Sequence, residues 1–269
     1  MAIRRTPFLT ASEWRQIVPT RSKSQKIDDL VDIMSAVSTL LEESDLLIAS
    51  TLTDAEFLEY WRGNILRSHL SIFKELSALQ LQIRESRPSQ FYWAVPSSLD
   101  NPADNKFQTK LMPFSLEFDS LDTAVMFTLS WSVMLQILSN VISLYNHFFG
   151  DFTDPPSLRD ALRDNRQGLN FPHESTETGL FLGLGDISIE SVKQTADQLA
   201  RYLCQSIEYF HRVEMGIFGL QSTCFLQWSL RKYFRNHAGH ERELDWVLSI
   251  KNMGGSGFHF GIDIMTFND

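Results

Sequence analysis

Apolar residues fall at three- and four-residue steps through most of this chain, which is the spacing of one face of an α-helix. Between Lys26 and Leu41 they are Ile27, Leu30, Val31, Met34, Val37 and Leu41. A second helix starts after Thr53, an N-cap residue with Glu56 three positions on. It buries Phe57, Trp61, Ile65, Ile72, Leu76, Leu79 and Ile83 before Pro88, with a bend at Gly63. From Gln90 to Pro113 the period breaks among Pro, Ser, Asn and Asp. Pro96, Pro102 and Pro113 exclude a continuous helix there, so the segment reads as a loop anchored by Phe91, Tyr92 and Trp93.

The stretch from Thr123 to Asn146 carries no charge. It is long enough to span a bilayer, which takes roughly 20 residues, yet Thr128, Ser132, Gln136, Ser139 and Ser143 make a polar stripe along one side. A central helix buried in a bundle accounts for both features, and no membrane span is expected. Asp154 to Leu184 is a second irregular stretch, with a short helix at Ser157 to Asp164. A strong amphipathic helix then runs from Ser188 through Ile189, Val192, Ala196, Leu199, Leu203, Ile207 and Phe210. After a break near Gly216 and Gly219 another passes through Leu220, Cys224, Trp228 and Leu230. The last starts near Gly239, carries Leu244, Val247 and Ile250, and ends at Gly254 and Gly255. Period-two alternation never lasts more than a few residues, so no sheet is expected. The fold class is all-α: a single-domain multi-helix bundle with long irregular loops, comprising a basic lead-in at 1–25, a helical domain at 26–255 and a tail at 256–269.

Composition narrows the function. With 269 residues and 43% hydrophobic side chains the chain can bury one large core. Its net charge of −9 is the wrong sign for a molecule that would bind phosphates with Lys and Arg. The single basic cluster, Arg4, Arg5, Arg15, Arg21, Lys23 and Lys26, is opposed only by Glu13 and reads as a solvated lead-in. Cys204 and Cys224 are the two cysteines. Each lies in an apolar helical stretch as a small core residue, which fits a reducing, intracellular setting, and no apolar leader precedes the first helix.

Three constellations could carry chemistry. Asp28, Asp29 and Asp32 spell D-D-x-x-D, the spacing with which all-α isoprenoid synthases hold magnesium against a diphosphate. They lie in the first helix, with no second metal motif downstream, and read as carboxylates on a solvent face. His237, His240 and Glu241 form H-x-x-H-E, a spacing that could place two imidazoles on one metal. A third ligand is missing, and the helix junction they occupy favours polar residues anyway. Gly183, Gly185 and Asp186 lack the preceding strand and third glycine of a phosphate loop. No catalytic, cofactor-binding or metal-binding residue is assigned, and none of the short catalytic motifs is present.

Longer blocks carry a resemblance. Arg4 and Arg5, then Phe8, Leu9 and Trp14, lead into "DDLVDIMSAVSTLLEE". Later come "FDSLDTAVMFTLSWSVMLQILSNVISLY" and "LARYLCQSIEYFHRVEMGIFGLQSTCFLQWSLRKYF", with Glu243 and Trp246 behind them. Together these blocks resemble the C-terminal regulatory domain of fungal binuclear zinc cluster transcription factors. The resemblance implies a helical regulatory module that works in the nucleus or cytoplasm through protein partners, in some members with a small apolar effector, in settings such as a biosynthetic gene cluster. The six cysteines of the zinc cluster have no counterpart here, so no metal ligand carries over and direct sequence-specific DNA binding is not expected. A stand-alone co-regulator and a truncated factor both fit, and the first predicts exposed apolar surface for a partner. The alternative is an all-α enzyme or binding protein for an apolar, isoprenoid-like metabolite.

Overall fold

A computed structural model describes residues 25–49, 55–86, 89–150, 158, 160 and 188–250. The lead-in arginines, Asp154–Leu184 apart from Leu158 and Asp160, and Gly254 and Gly255 lie outside the described residues. So do the expected cap at Thr53 and the Gly183, Gly185 and Asp186 trio.

The chain is mostly helical: α1 (Gln25–Ala49), α2 (Ala55–Glu85), α3 (Pro102–Phe107), α4 (Leu121–Phe149), α5 (Ile189–Phe210), α6 (Gly216–Asn236) and α7 (Glu241–Ser249). Tertiary contacts divide it into two compact units, Met1–Ile83 with Ile137–Ala196, and Arg84–Gln136 with Asp197–Asp269.

In the first unit the periodicities emerge as burial except at Met34 and Ile72, which lie at the edge of their faces and are only half-buried. On α1, Leu30, Ile33, Val37, Leu40, Leu41 and Leu47 are buried; on α2, Ile65, Leu66, Phe73, Leu76, Leu79 and Ile83 are. The second helix runs unbroken through Gly63, where a bend was expected. Helix α5 opens with a reciprocal cap, in which the Ser188 hydroxyl accepts from the Ser191 N–H at 3.0 Å and the Ser191 hydroxyl from the Ser188 N–H at 3.2 Å.

The second unit corrects the loop and no-sheet expectations. β1 (Tyr92–Pro96) and β2 (Phe114–Phe118) form a two-stranded antiparallel sheet in which Tyr92 faces Phe118 and Ala94 faces Leu116. Five-residue strands, one of them ended by Pro96, are too short for a period-two signal to stand out, and β1 opens on consecutive aromatics. Pro102 does not merely interrupt the chain: it occupies the first turn of α3, where its missing N–H is not needed. The Asn101 side chain caps that helix by accepting from the Ala103 N–H at 2.9 Å and donates to the Trp246 carbonyl at 3.0 Å, seating α3 on α7. Phe91 and Tyr92 do anchor the segment, against Phe127 at ring distances of 5.7 and 5.3 Å, whereas Trp93 is 40% exposed.

The central helix is buried as its pattern predicts. Every residue of α4 from Ser130 to Ile142 is buried. It is the one described helix long and apolar enough to cross a membrane, and 83% of its most apolar stretch is buried inside the protein. Its polar stripe is inside too as far as Ser139, with Ser143 half-buried, and the hydroxyls turn back on their own helix: Thr128 donates to the Ala124 carbonyl, Ser132 to Thr128 and Ser143 to Ser139, at 2.7, 2.7 and 2.9 Å.

Candidate functional site

The sequence points first to acidic and histidine clusters. Among the D-D-x-x-D residues, the side chains of Asp28 and Asp29 lie outside the described residues, and Asp32 is exposed on α1. The histidine pair is drawn into a junction. His237 ends α6, its backbone N–H donating to the Tyr233 carbonyl at 3.2 Å and its ring 4.7 Å from that of Tyr233. His240 precedes α7, with Nε2 3.2 Å from Asp197 Oδ1, the atom that also accepts a 2.6 Å hydrogen bond from the Tyr233 hydroxyl. Glu241 accepts from the Gly239 N–H at 3.3 Å across a turn that needs Gly239, at φ +90°. Both imidazoles thus pack on the Tyr233 ring, at 4.7 and 5.5 Å, while Glu241 turns to the Gly239 N–H instead. Among the described residues, no three His, Cys, Asp or Glu side chains gather where they could hold a metal ion. Burial next to a carboxylate pushes the Tyr233 phenol far above its usual range, so it stays a hydrogen-bond donor at neutral pH.

Sequence reading missed another histidine. His69 on α2 is fully buried, its Nδ1 2.8 Å from the Ile65 carbonyl, which accepts and therefore places the ring proton on Nδ1. Nε2 is left to accept from Asn140 Nδ2 of α4 at 2.7 Å, with the Ser44 hydroxyl of α1 at 3.4 Å. This network ties three helices of the first unit and is satisfied from within. Its geometry is that of a staple, and nothing in the sequence marks these three residues as partners.

Neither cysteine has the setting of a nucleophile. Burial drives the Cys204 thiol well above its usual range, with the Glu243 charge adding to it, and Cys224 shifts the same way for the first reason. Cys204 is the core residue expected; Cys224 is only half-buried.

What stands out is apolar surface. At the start of α6, Val213, Ile217 and Phe218 are 95%, 64% and 70% exposed. The helix buries Thr223, Leu226, Leu230, Tyr233 and Phe234 on one side. On the other, Phe225 stacks on Trp228 at 5.7 Å and 24°, both rings part-exposed, and Lys232 Nζ lies 5.0 Å from the Trp228 ring.

The helix is held firmly from behind. Gly219 meets the end of α5 so closely that a Cβ would sit 2.4 Å from the Phe210 carbonyl oxygen and 2.6 Å from Met215 Cβ. Arg212, ahead of the short 3-10 turn Val213–Met215, pairs with Glu117 of β2 and lies over the Tyr209 ring at 5.5 Å. Glu208, also near the end of α5, accepts from the Ser98 hydroxyl and backbone N–H at 2.5 and 2.9 Å. Burial raises the pKa of that carboxyl, but the hydrogen bonds outweigh it and leave it below its usual range. The exposed aromatic face is therefore carried on a rigid mount. No family model matches the chain, and no curated protein and no solved structure matches it.

Proposed function

We propose that this chain is a regulatory module of transcription that acts by binding a protein partner and relies on another molecule for contact with DNA. The observation that carries the partner-binding half is the outward side of α6 and of the 3-10 turn before it, with Val213, Ile217 and Phe218 between 64% and 95% exposed beside the Phe225–Trp228 stack. A monomeric protein rarely leaves so many large apolar side chains together in water, and such patches mark places where another surface sits. Aromatic residues are the side chains most enriched at the centre of protein interfaces. The transcriptional half rests on the resemblance of the three sequence blocks to fungal zinc cluster regulators. No catalytic step is assigned.

The test is a tethering assay. The full chain is fused to a heterologous DNA-binding domain and reporter output is measured against the DNA-binding domain alone. A change in either direction is expected, and Phe218→Asp should return it to the background level while the fusion protein remains at equal abundance. A reporter that never responds to the wild-type fusion sinks the transcriptional reading. A response indifferent to Phe218→Asp removes α6 as the working surface.

A further inference from the structure

We infer that residues 258–264, which lie outside the described residues, add a third strand to the sheet, antiparallel along the free edge of β1. The bonds that flank the strand pair, from the Ser97 N–H to the Pro113 carbonyl and from the Asp119 N–H to the Phe91 carbonyl, fix the phase of its ladder. Antiparallel strands exchange bonds at every second pair, so Trp93 and Val95 turn their backbone groups toward β2, and Tyr92, Ala94 and Pro96 turn theirs away. Among the described residues the N–H and carbonyl of Ala94 meet no partner. The two edges differ in cover. On β2 the outward-turned Leu116 and Phe118 are buried, whereas on β1 Ala94 and Pro96 are exposed and Trp93 is 40% exposed. An open edge of this kind is a template for another strand, and proteins commonly cover it.

Residues 258–264 have the pattern of such a strand. Phe258, Phe260, Ile262 and Ile264 alternate with His259, Gly261 and Asp263, a period of two that the expectation of no sheet passed over. The segment is within reach. Residues 251–257 join it to Ile250 and extend up to about 25 Å, with Gly254, Gly255 and Gly257 to turn on. One turn before Ile250, the Trp246 carbonyl is bonded to Asn101, which follows Pro96 by five residues. The segment therefore enters beside Pro96 and runs back toward Tyr92. A strand tethered this closely has a roughly millimolar effective concentration, which favours it over a strand from another molecule.

Composition sets the register. With Phe258 opposite Pro96, Phe260 stands opposite Ala94 and Ile262 opposite Tyr92. The last two pairs each exchange two hydrogen bonds, while Pro96, having no N–H, only accepts. Phe258 and Phe260 then fall on the side of the sheet that carries exposed Ala94, Pro96 and Phe114 and buried Leu116. On the other side Gly261 stands opposite Trp93 and leaves room for the exposed indole to lie across it. A slip of one residue would exchange the two sides and turn His259 and Asp263 toward the apolar one.

Disulfide trapping in the full chain tests this, in a Cys224→Ser background that leaves only the buried Cys204. Val95→Cys/His259→Cys joins a pair whose Cα atoms should lie about 4.5 Å apart, within the span of a disulfide. Val95→Cys/Phe260→Cys sets the second thiol on the other side of the sheet. After mild oxidation, peptide mass spectrometry should find the bond within one chain in the first variant, formed about tenfold or more faster than in the second. Hydrogen exchange at the Ala94 amide is a second readout. It should be slow in the wild-type chain and about tenfold or more faster in Phe260→Asp, with circular dichroism and a thermal melt confirming that the variant is folded. A bond no faster in the first cysteine variant than in the second overturns the inference. So does a bond formed between two chains, or an Ala94 amide indifferent to Phe260→Asp. None of these readouts involves α6, so the strand can fail while the partner-binding reading stands, and the reverse.

Discussion

Helices α4 and α6 are both apolar on more than one side, and the structure treats them oppositely. From Ser130 to Ile142 α4 is buried all round, and its hydroxyls are absorbed by carbonyls one turn back. Helix α6 buries one side and leaves Ile217 and Phe218 largely exposed on the other. A helix that is apolar throughout is stable in water only if all of it is covered. The first is covered by the chain itself. The second has a face in excess of what its own fold uses, and that excess is what the proposed function employs.

The sharpest way to break this comparison is to truncate one aromatic from each helix. Trp131 of α4 is fully buried, stacked on Tyr202 at 5.4 Å and edge-on to Tyr92 at 5.3 Å, with Phe127 at 5.6 Å. Trp131→Ala removes a large side chain from a site with no room to collapse and should cost about 4 kcal/mol, read as a drop in the urea midpoint. A cost below about 1 kcal/mol would mean that this part of α4 is not the packed core its burial indicates.

Acid attacks the mount of α6 and spares the uncharged middle of α4. Burial lowers the pKa of His211 from 6.5 to about 4, so the native protein holds it neutral while the unfolded chain binds a proton below pH 6.5. Its contribution is complete above pH 6.5 and is lost as pH falls toward 4, a total of up to roughly 3 kcal/mol from a shift of that size. Glu208, with its pKa held below the usual range, acts in the same direction: its stabilisation is present above the unfolded-state pKa and disappears as the carboxyl protonates. Urea midpoints measured from pH 7 down to pH 4 should fall steadily, and His211→Leu should flatten the upper part of that slope. An unchanged slope in His211→Leu would assign the acid sensitivity elsewhere.

A middle-sized effect is expected at the seat of the helix. Gly219→Ala places a Cβ 2.4 Å from the Phe210 carbonyl, a backbone atom that cannot swing aside. A cost of about 2 kcal/mol by thermal or urea unfolding is expected, even though alanine is the better helix former. If Gly219→Ala is instead stabilising, α6 is not pressed against the end of α5.

How much of this was legible depends on how many faces an element has to satisfy. Helix α5 has one, and of Ile189, Val192, Ala196, Leu199, Leu203, Ile207 and Phe210, read from spacing alone, all are buried except Ile189 in the first turn, which is half-buried. Helix α4 was legible because an uncharged run with a hydroxyl stripe has few other resting places. In α6 the periodicity picks out Leu220, Cys224, Trp228 and Leu230, yet only Leu230 of these is fully covered, while Thr223, Leu226 and Tyr233 line the core. A helix apolar on two sides has no phase that tells which side faces inward. The strand pair of β1 and β2 was hidden by the shortness of its strands. The polar pairings were hidden for a different reason: His69 with Asn140, and His240 with Asp197, join residues far apart in the chain, and one sequence carries no signal of which distant polar groups meet. The H-x-x-H-E spacing was visible, but its use at a helix junction is set by Asp197 and Tyr233 on two other turns of the fold.

The smallest expected effect is the most diagnostic. Phe218 is 70% exposed, so Phe218→Ser gives up little packing, and serine and phenylalanine have similar helix propensities. Its effect on unfolding free energy should stay within about 0.5 kcal/mol, the range of ordinary surface changes. The same substitution should lower the tethered reporter signal, because it removes apolar area from the outward face of α6. Stability and reporter output are thus expected to separate at this position, whereas at Trp131 they move together as the fold itself is lost. A Phe218→Ser protein destabilised by more than about 1 kcal/mol would show that the outward face of α6 is part of the chain's own packing. The contrast with α4 would then disappear, and the reading of that face as a surface for another molecule would go with it.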